Sequence, residues 1–150
     1  MLQRRFIWYF GWREIVTLRV YAMTHTEMLF PLEDEADWSY QLQIYLISHS
    51  QLQIKLEHST TGQMKYINFS GVEFYDGSLD WKSAGFFIGN SDECLEILNK
   101  IDAYRKDADE VLLSEISLFV AEPYNGHRIR IVAGNSPSFT ETNLFKNYVP

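Results

Sequence analysis

The sequence predicts an α+β fold: a curved antiparallel sheet, or a partly open β-barrel or sandwich, built from hairpins, with one amphipathic helix at about residues 91–106 packed on it. Three observations carry this expectation. Two pairs of segments alternate apolar and polar residues across a short turn, the period-two pattern of half-buried hairpins. One segment repeats apolar residues at helical spacing behind a capping residue. Clusters of Gly, Ser, Asn, Asp and Pro cut the chain between these elements. With 150 residues and 46% hydrophobic content, one domain over 1–150 is expected, large enough to bury a core without disulfide or metal staples.

Residues 1–22 are rich in aromatics (Phe6, Trp8, Tyr9, Phe10, Trp12) and carry Arg4, Arg5, Arg13 and Arg19 against Glu14. Arg13, Glu14 and Arg19 interrupt any apolar run, which argues against a signal peptide and a membrane-spanning helix. The segment reads as two strands, Phe6–Phe10 and Glu14–Tyr21, or as an N-terminal extension to a domain whose start is Met23 or Met28 rather than Met1. Without a leader, a cytoplasmic protein is expected.

The acidic connector Pro31–Asp37 precedes the first hairpin, in which Leu42, Ile44 and Leu46 face Leu56, Ile54 and Leu52 across Ser48-His49-Ser50. The opposite face holds glutamines and charges and is expected to be wet. Met64–Phe69 and Val72–Tyr75 are the next strands, with Gly71 as a bulge or bend between them. A polar loop, Asp76–Ser83, carries Trp81, and the apolar run Ala84–Ile88 follows. Asn90 or Ser91 caps the helix, with Asp92 and Glu93 in its first turn and Cys94, Ile97, Leu98, Ile101 and Tyr104 along its inner stripe. The second hairpin joins Val111–Glu122 to His127–Ala133. Pairing Val120 with Ile129 puts its aliphatics on one face and sets Phe119 opposite Arg130, within reach of a cation–π contact. Residues 136–150 read as an irregular tail with one docked turn.

Composition excludes several functions. The net charge of −7 is wrong for binding a phosphate backbone, so no nucleic-acid partner is expected, and no membrane partner. A single cysteine, Cys94, rules out a disulfide framework and a Cys-rich zinc site. No phosphate-binding glycine loop, nucleophile elbow or HExxH motif occurs, and no cofactor is implied. His49 and His58 lie at opposite ends of one strand, and His25 with Glu27 lacks a third ligand, so no metal site is expected. Cys94 begins the apolar stripe of the helix and reads as a small buried hydrophobe, not a nucleophile.

Two readings of function remain. In the first, the chain is a non-catalytic, acidic protein-binding module for a basic partner protein, of the immunity or inhibitor type to which small acidic chains of this composition are physically similar. Glu33, Asp34, Glu35 and Asp37 would steer the partner, Trp38 and Trp81 would anchor it, and Arg128 and Arg130 would clamp its carboxylates. In the second, Asp76, Asp80 and Trp81 form a carboxylate and aromatic site in the mouth of the sheet, suited to a small ligand or to glycoside hydrolysis. Self-association through the aromatic N-terminal segment is a further option. Asn68-Phe69-Ser70 matches a glycosylation acceptor, but without a secretory signal it reads as chance.

Overall fold

The computed structural model describes residues 28–101, 110–124 and 126–148. In chain order the strands are β1 (Trp38–Leu46), β2 (Gln51–His58), β3 (Met64–Ser70), β4 (Phe74–Asp76), β5 (Asp80–Lys82) and β6 (Phe87–Ile88). Helices α1 (Ser91–Ile101) and α2 (Glu110–Glu115) follow, then β7 (Ile116–Ala121), β8 (Ile129–Gly134) and β9 (Ser138–Thr140). The strands form two antiparallel sheets, ordered β5-β1-β2-β3-β9 (sheet one) and β4-β8-β7-β6 (sheet two). The fold is α+β, and of the expected forms it is the sandwich; no barrel closes.

The layers follow from which residues each sheet turns inward. Tyr40, Leu52, Ile54, Leu56, Ile67 and Phe69 of sheet one meet Phe119, Ala121, Ile129, Ile131 and Ala133 of sheet two in one core. The opposite face of sheet two presents Leu118, Val120 and Val132 to Cys94, Ile97 and Leu98 of α1. Sheet two is therefore a middle layer with both faces apolar. Gly71, at φ 61°, turns the chain from β3 in one sheet to β4 in the other, a left-handed bend that glycine adopts without steric cost. Gly77, at φ 147°, sits so close to Ile129 that a Cβ would lie 3.0 Å from its Cα. The turn after Asp76 needs glycine for both reasons.

Helix α1 begins as expected. Asn90 Oδ1 accepts from the backbone N–H of Asp92 at 2.7 Å and of Glu93 at 3.4 Å, satisfying donors that have no intrahelical partner. Cys94, Ile97 and Leu98 are its buried stripe, whereas Ile101 is exposed; residues 102–109, where the rest of the expected helix falls, lie outside the described residues. So do the strands or extension expected in residues 1–22.

Both hairpins form, and both differ in register from the sequence expectation. In the first, Leu42 pairs with Ile54 and Tyr40 with Leu56, while Ile44 pairs with Gln53, so Gln43 is an extra residue in a bulge. The bulge changes which side chains face inward: Trp38, Tyr40 and Leu42 before it, Tyr45 after it. Ile44 thus leaves the core face to which period two had assigned it. In the second hairpin Phe119 pairs with Ile131 and Val120 with Arg130, one residue off the expected pairing. With both faces of sheet two covered, apolar residues occupy both phases of the strand and alternation cannot fix the register. The Phe119–Arg130 contact is accordingly absent; Arg130 lies over the Phe74 ring, 5.7 Å from its centroid.

Three further corrections concern extent and exposure. The first part of the expected strand Val111–Glu122 is α2. The tail contributes β9, which pairs Phe139 with Ile67 at the edge of sheet one. The outer face of sheet one is not uniformly wet: Gln53 and Asn68 are buried there, with Gln53 Nε2 donating to Asn68 Oδ1 at 2.7 Å and Asn68 Nδ2 donating to Ser138 Oγ at 3.4 Å. These bonds across the strands offset part of the cost of burying the amides, while Gln53 Oε1 has no partner among the described residues. Asn68 is thereby unavailable as a glycosylation acceptor.

Candidate functional site

The charged residues singled out in the sequence fall into two regions of opposite character. The first is the acidic segment at the entrance to β1. Glu35–Asp37 form a 3-10 turn closed by Asp37 N–H donating to the Asp34 carbonyl at 2.8 Å, and Asp34 adopts the left-handed conformation, φ 53°. This turn is stitched to the body. Trp38 Nε1 donates to the Glu33 carbonyl at 3.1 Å, Ser83 Oγ to the Ala36 carbonyl at 2.8 Å, and Ser59 N–H to the Asp37 carbonyl at 2.9 Å. Glu35 Oε1 accepts from Gly85 N–H at 2.6 Å. Burial, with the Glu35 charge added, pushes the Tyr40 phenol far above its ordinary value. Glu33, Asp34 and Asp37 remain exposed, and among the described residues no lysine or arginine forms an ion pair with them.

Asp34, Asp37 and His58 bring potential ligand atoms within 4.8 Å of one another. His58 Nδ1, however, accepts from Thr60 N–H and Thr61 N–H, each at 3.2 Å. That nitrogen is thus committed to the backbone of its own turn, and two exposed acids beside one histidine are not by themselves a metal site.

The second region is an ionic cluster where the N-terminus of α1 meets β8. Glu93 Oε1 accepts from Arg128 Nη1 at 2.8 Å and from Arg130 Nη1 at 3.4 Å. Arg128 Nε also reaches Glu122 Oε1 at 3.2 Å, and Arg130 Nε donates to Asp76 Oδ2 at 3.1 Å. Hydrogen bonds from Arg130 to Asp76, and then to Glu93, raise the guanidinium pKa above its ordinary value. The clamp that two neighbouring arginines promised is closed on this chain's own carboxylates. Glu93 was legible as a first-turn acid, but its bond to residues 35 and 37 positions away was not.

The expected aromatic anchors are inside. Trp38 is 4% and Trp81 7% exposed. Trp81 stacks on Tyr40 at 5.4 Å, meets Phe86 edge-on, and donates from Nε1 to the Ala84 carbonyl at 2.9 Å. A fully desolvated, hydrogen-bonded indole is core, not a free anchor. Of Asp76, Asp80 and Trp81, the last two line common depressions, whereas Asp76 turns to Arg130 on sheet two. Two shallow depressions flank β5. One, of about 470 Å³, lies between Ser78–Ser83 and the turn bearing Pro123 and Tyr124; the other, of about 460 Å³, is bounded by Ser39–Gln41. Asp80 is the only carboxylate lining either. The exposed apolar groups beside them are Leu79 and Tyr124, the latter 98% exposed. An aromatic in the Pro123–Gly126 turn cluster was the sequence signal for it.

Cys94 is buried, and desolvation with the neighbouring Glu93 charge raises its thiol pKa, the opposite of what a nucleophile needs. Among the described residues no helix is long and apolar enough to cross a membrane. Comparison with protein-family models, with curated proteins and with solved structures finds no match.

Proposed function

We propose that the chain is a non-catalytic cytoplasmic binding module that recognises a basic partner protein through the acidic segment Glu33–Asp37. One observation carries the reading: Glu33, Asp34 and Asp37 are held by backbone hydrogen bonds to the body, yet have no cationic partner among the described residues. A fixed, unneutralised group of carboxylates on a chain of net charge −7 attracts a basic surface over a Debye length of about 8–10 Å and fixes its orientation at little entropic cost. Leu79 and Tyr124 replace Trp38 and Trp81 as the exposed apolar anchors. The hydrolytic alternative is weakened by the commitment of Asp76 to Arg130, which leaves Asp80 without a second acid beside it.

The test is comparative capture from the native host, with mass-spectrometric identification, followed by binding kinetics. Glu33→Gln, Asp34→Asn and Asp37→Asn are combined; Glu35 is left intact because it holds the Gly85 backbone. A basic protein captured by the parent chain, with an on-rate that falls steeply with salt and falls again in the triple variant, supports the proposal. A salt-independent on-rate, or equal association by the triple variant, removes it.

A further inference from the structure

Strand β5 ends sheet one, and among the described residues nothing pairs with its outer edge. The Leu79 carbonyl accepts from Leu42 N–H at 2.7 Å and Ser83 N–H donates to the Trp38 carbonyl at 3.0 Å, with Trp81 opposite Tyr40 between them. Odd-numbered residues thus turn their backbone groups toward β1. In an antiparallel ladder the alternate residues point the other way, so the N–H and C=O of Asp80 and Lys82 face the open side. Both side chains are exposed and share one face of the sheet, and neither has an ion-pair partner among the described residues. A lone lysine on an edge strand guards it against pairing. An acid two residues away changes that guard into a code.

We propose that this edge docks a second copy of the chain, β5 against β5, antiparallel about a twofold axis at Trp81. The backbone phase allows even-numbered residues to pair only with even-numbered residues. Centred on Trp81, Asp80 meets Lys82 of the second copy, and Lys82 meets its Asp80. The neighbouring registers place Asp80 against Asp80 or Lys82 against Lys82, and like charges directly opposite are destabilising. Only one register is therefore favourable, and it is self-complementary, as an isologous contact requires. A depression of about 470 Å³ lies between β5 and the turn bearing Pro123, Tyr124 and Gly126, so that turn flanks the docking edge. The far edge of the sheet, β9, carries Ser138, Phe139 and Thr140, with no charge to set a register. A three-residue edge supplies less than the roughly 1,200–2,000 Å² of a standard interface, so the dimer is concentration-dependent, with Leu79 and Tyr124 as the adjoining apolar groups. This contact does not use the acidic segment; it shares Leu79 and Tyr124 with the proposed partner surface, and self-association of the chain alone tests it independently.

The experiment is sedimentation velocity on the full chain over a wide concentration range. The parent chain should dimerise. Lys82→Asp gives two acids per edge and Asp80→Lys two lysines, and each alone should weaken self-association at least about tenfold. Mixing these two variants should restore a dimer containing one of each, and the exchange Asp80→Lys with Lys82→Asp in one chain should restore self-association. Because both positions are exposed, thermal melts should match the parent, and either single variant suffices if the other folds poorly. A parent chain that stays monomeric at every concentration overturns the proposal. So does a dimer that neither charge reversal weakens, which would place the interface elsewhere.

Discussion

Sheet one has free edge backbone at β5 and an outer face that is part exposed, while sheet two lies between the other sheet and α1. That difference governs the fate of charge. An arginine on sheet two meets a crowded, partly dry surface, and Arg128 and Arg130 draw Glu93, Asp76 and Glu122 around them. At the rim of sheet one, Glu33, Asp34, Asp37, Asp80 and Lys82 stay in water and keep their charge for something outside the chain. A count of charges in the sequence treats the two groups alike. Their surroundings make one structural and the other available.

The contrast can be broken most severely at its most covered point. Ile131 lies fully buried between the sheets, so Ile131→Asp should cost about 4 kcal/mol or more and leave the protein unfolded or aggregated. A soluble variant with a parent-like melting temperature would contradict the sandwich. Alkali should act on both sheets. Tyr75 of β4 is pushed up to about 12 by burial and then by the Asp76 charge, and Tyr40 of β1 is raised further. Unfolded phenols ionise near pH 10, so the stability these residues contribute is complete below about pH 10 and is lost as pH rises through 12 and beyond. Tyrosinate absorbance followed together with circular dichroism should show these two residues ionising only as the fold is lost.

Smaller changes sharpen the comparison. Glu93→Ala should lower stability by about 1–2 kcal/mol, since it deprives both arginines of a shared acceptor and α1 of an N-terminal acid. The denaturant midpoint measures this, and an unchanged midpoint would mean that the cluster is as idle as an exposed pair. Ile44→Asp should cost clearly less than Ile131→Asp, because the bulge has carried the half-buried Ile44 off the core face. Equal damage from the Ile44 and Ile131 variants would argue against the bulge. Neutralising Glu33, Asp34 and Asp37 together should leave stability within about 0.5 kcal/mol of the parent while altering partner association.

These pairs also mark how far the residues speak for themselves. The helix was legible because its signals are local: Asn90 caps it, and Cys94, Ile97 and Leu98 lie within two turns. The partners in each hairpin were legible for the same reason. Their registers were not, because one depends on a bulge at Gln43 that no turn residue announces, and the other on a strand apolar in both phases. At the candidate site, the acids of residues 33–37 and the arginine pair could be named from the chain. That the arginines are satisfied, and that Trp38 and Trp81 are enclosed, depends on contacts between segments up to 54 residues apart, as between Asp76 and Arg130.

Strand β9 has a consequence for the order in which the molecule is made. Ser138 reaches back 70 residues to lie beside Asn68. During synthesis the outer side of β3 therefore stays bare until residue 140 has emerged, although β1, β2 and β3 are already able to pair. Contacts at such long separation form late and slowly. In that interval the nascent chain presents the bare outer edge of β3, a surface through which incompletely folded chains can pair wrongly.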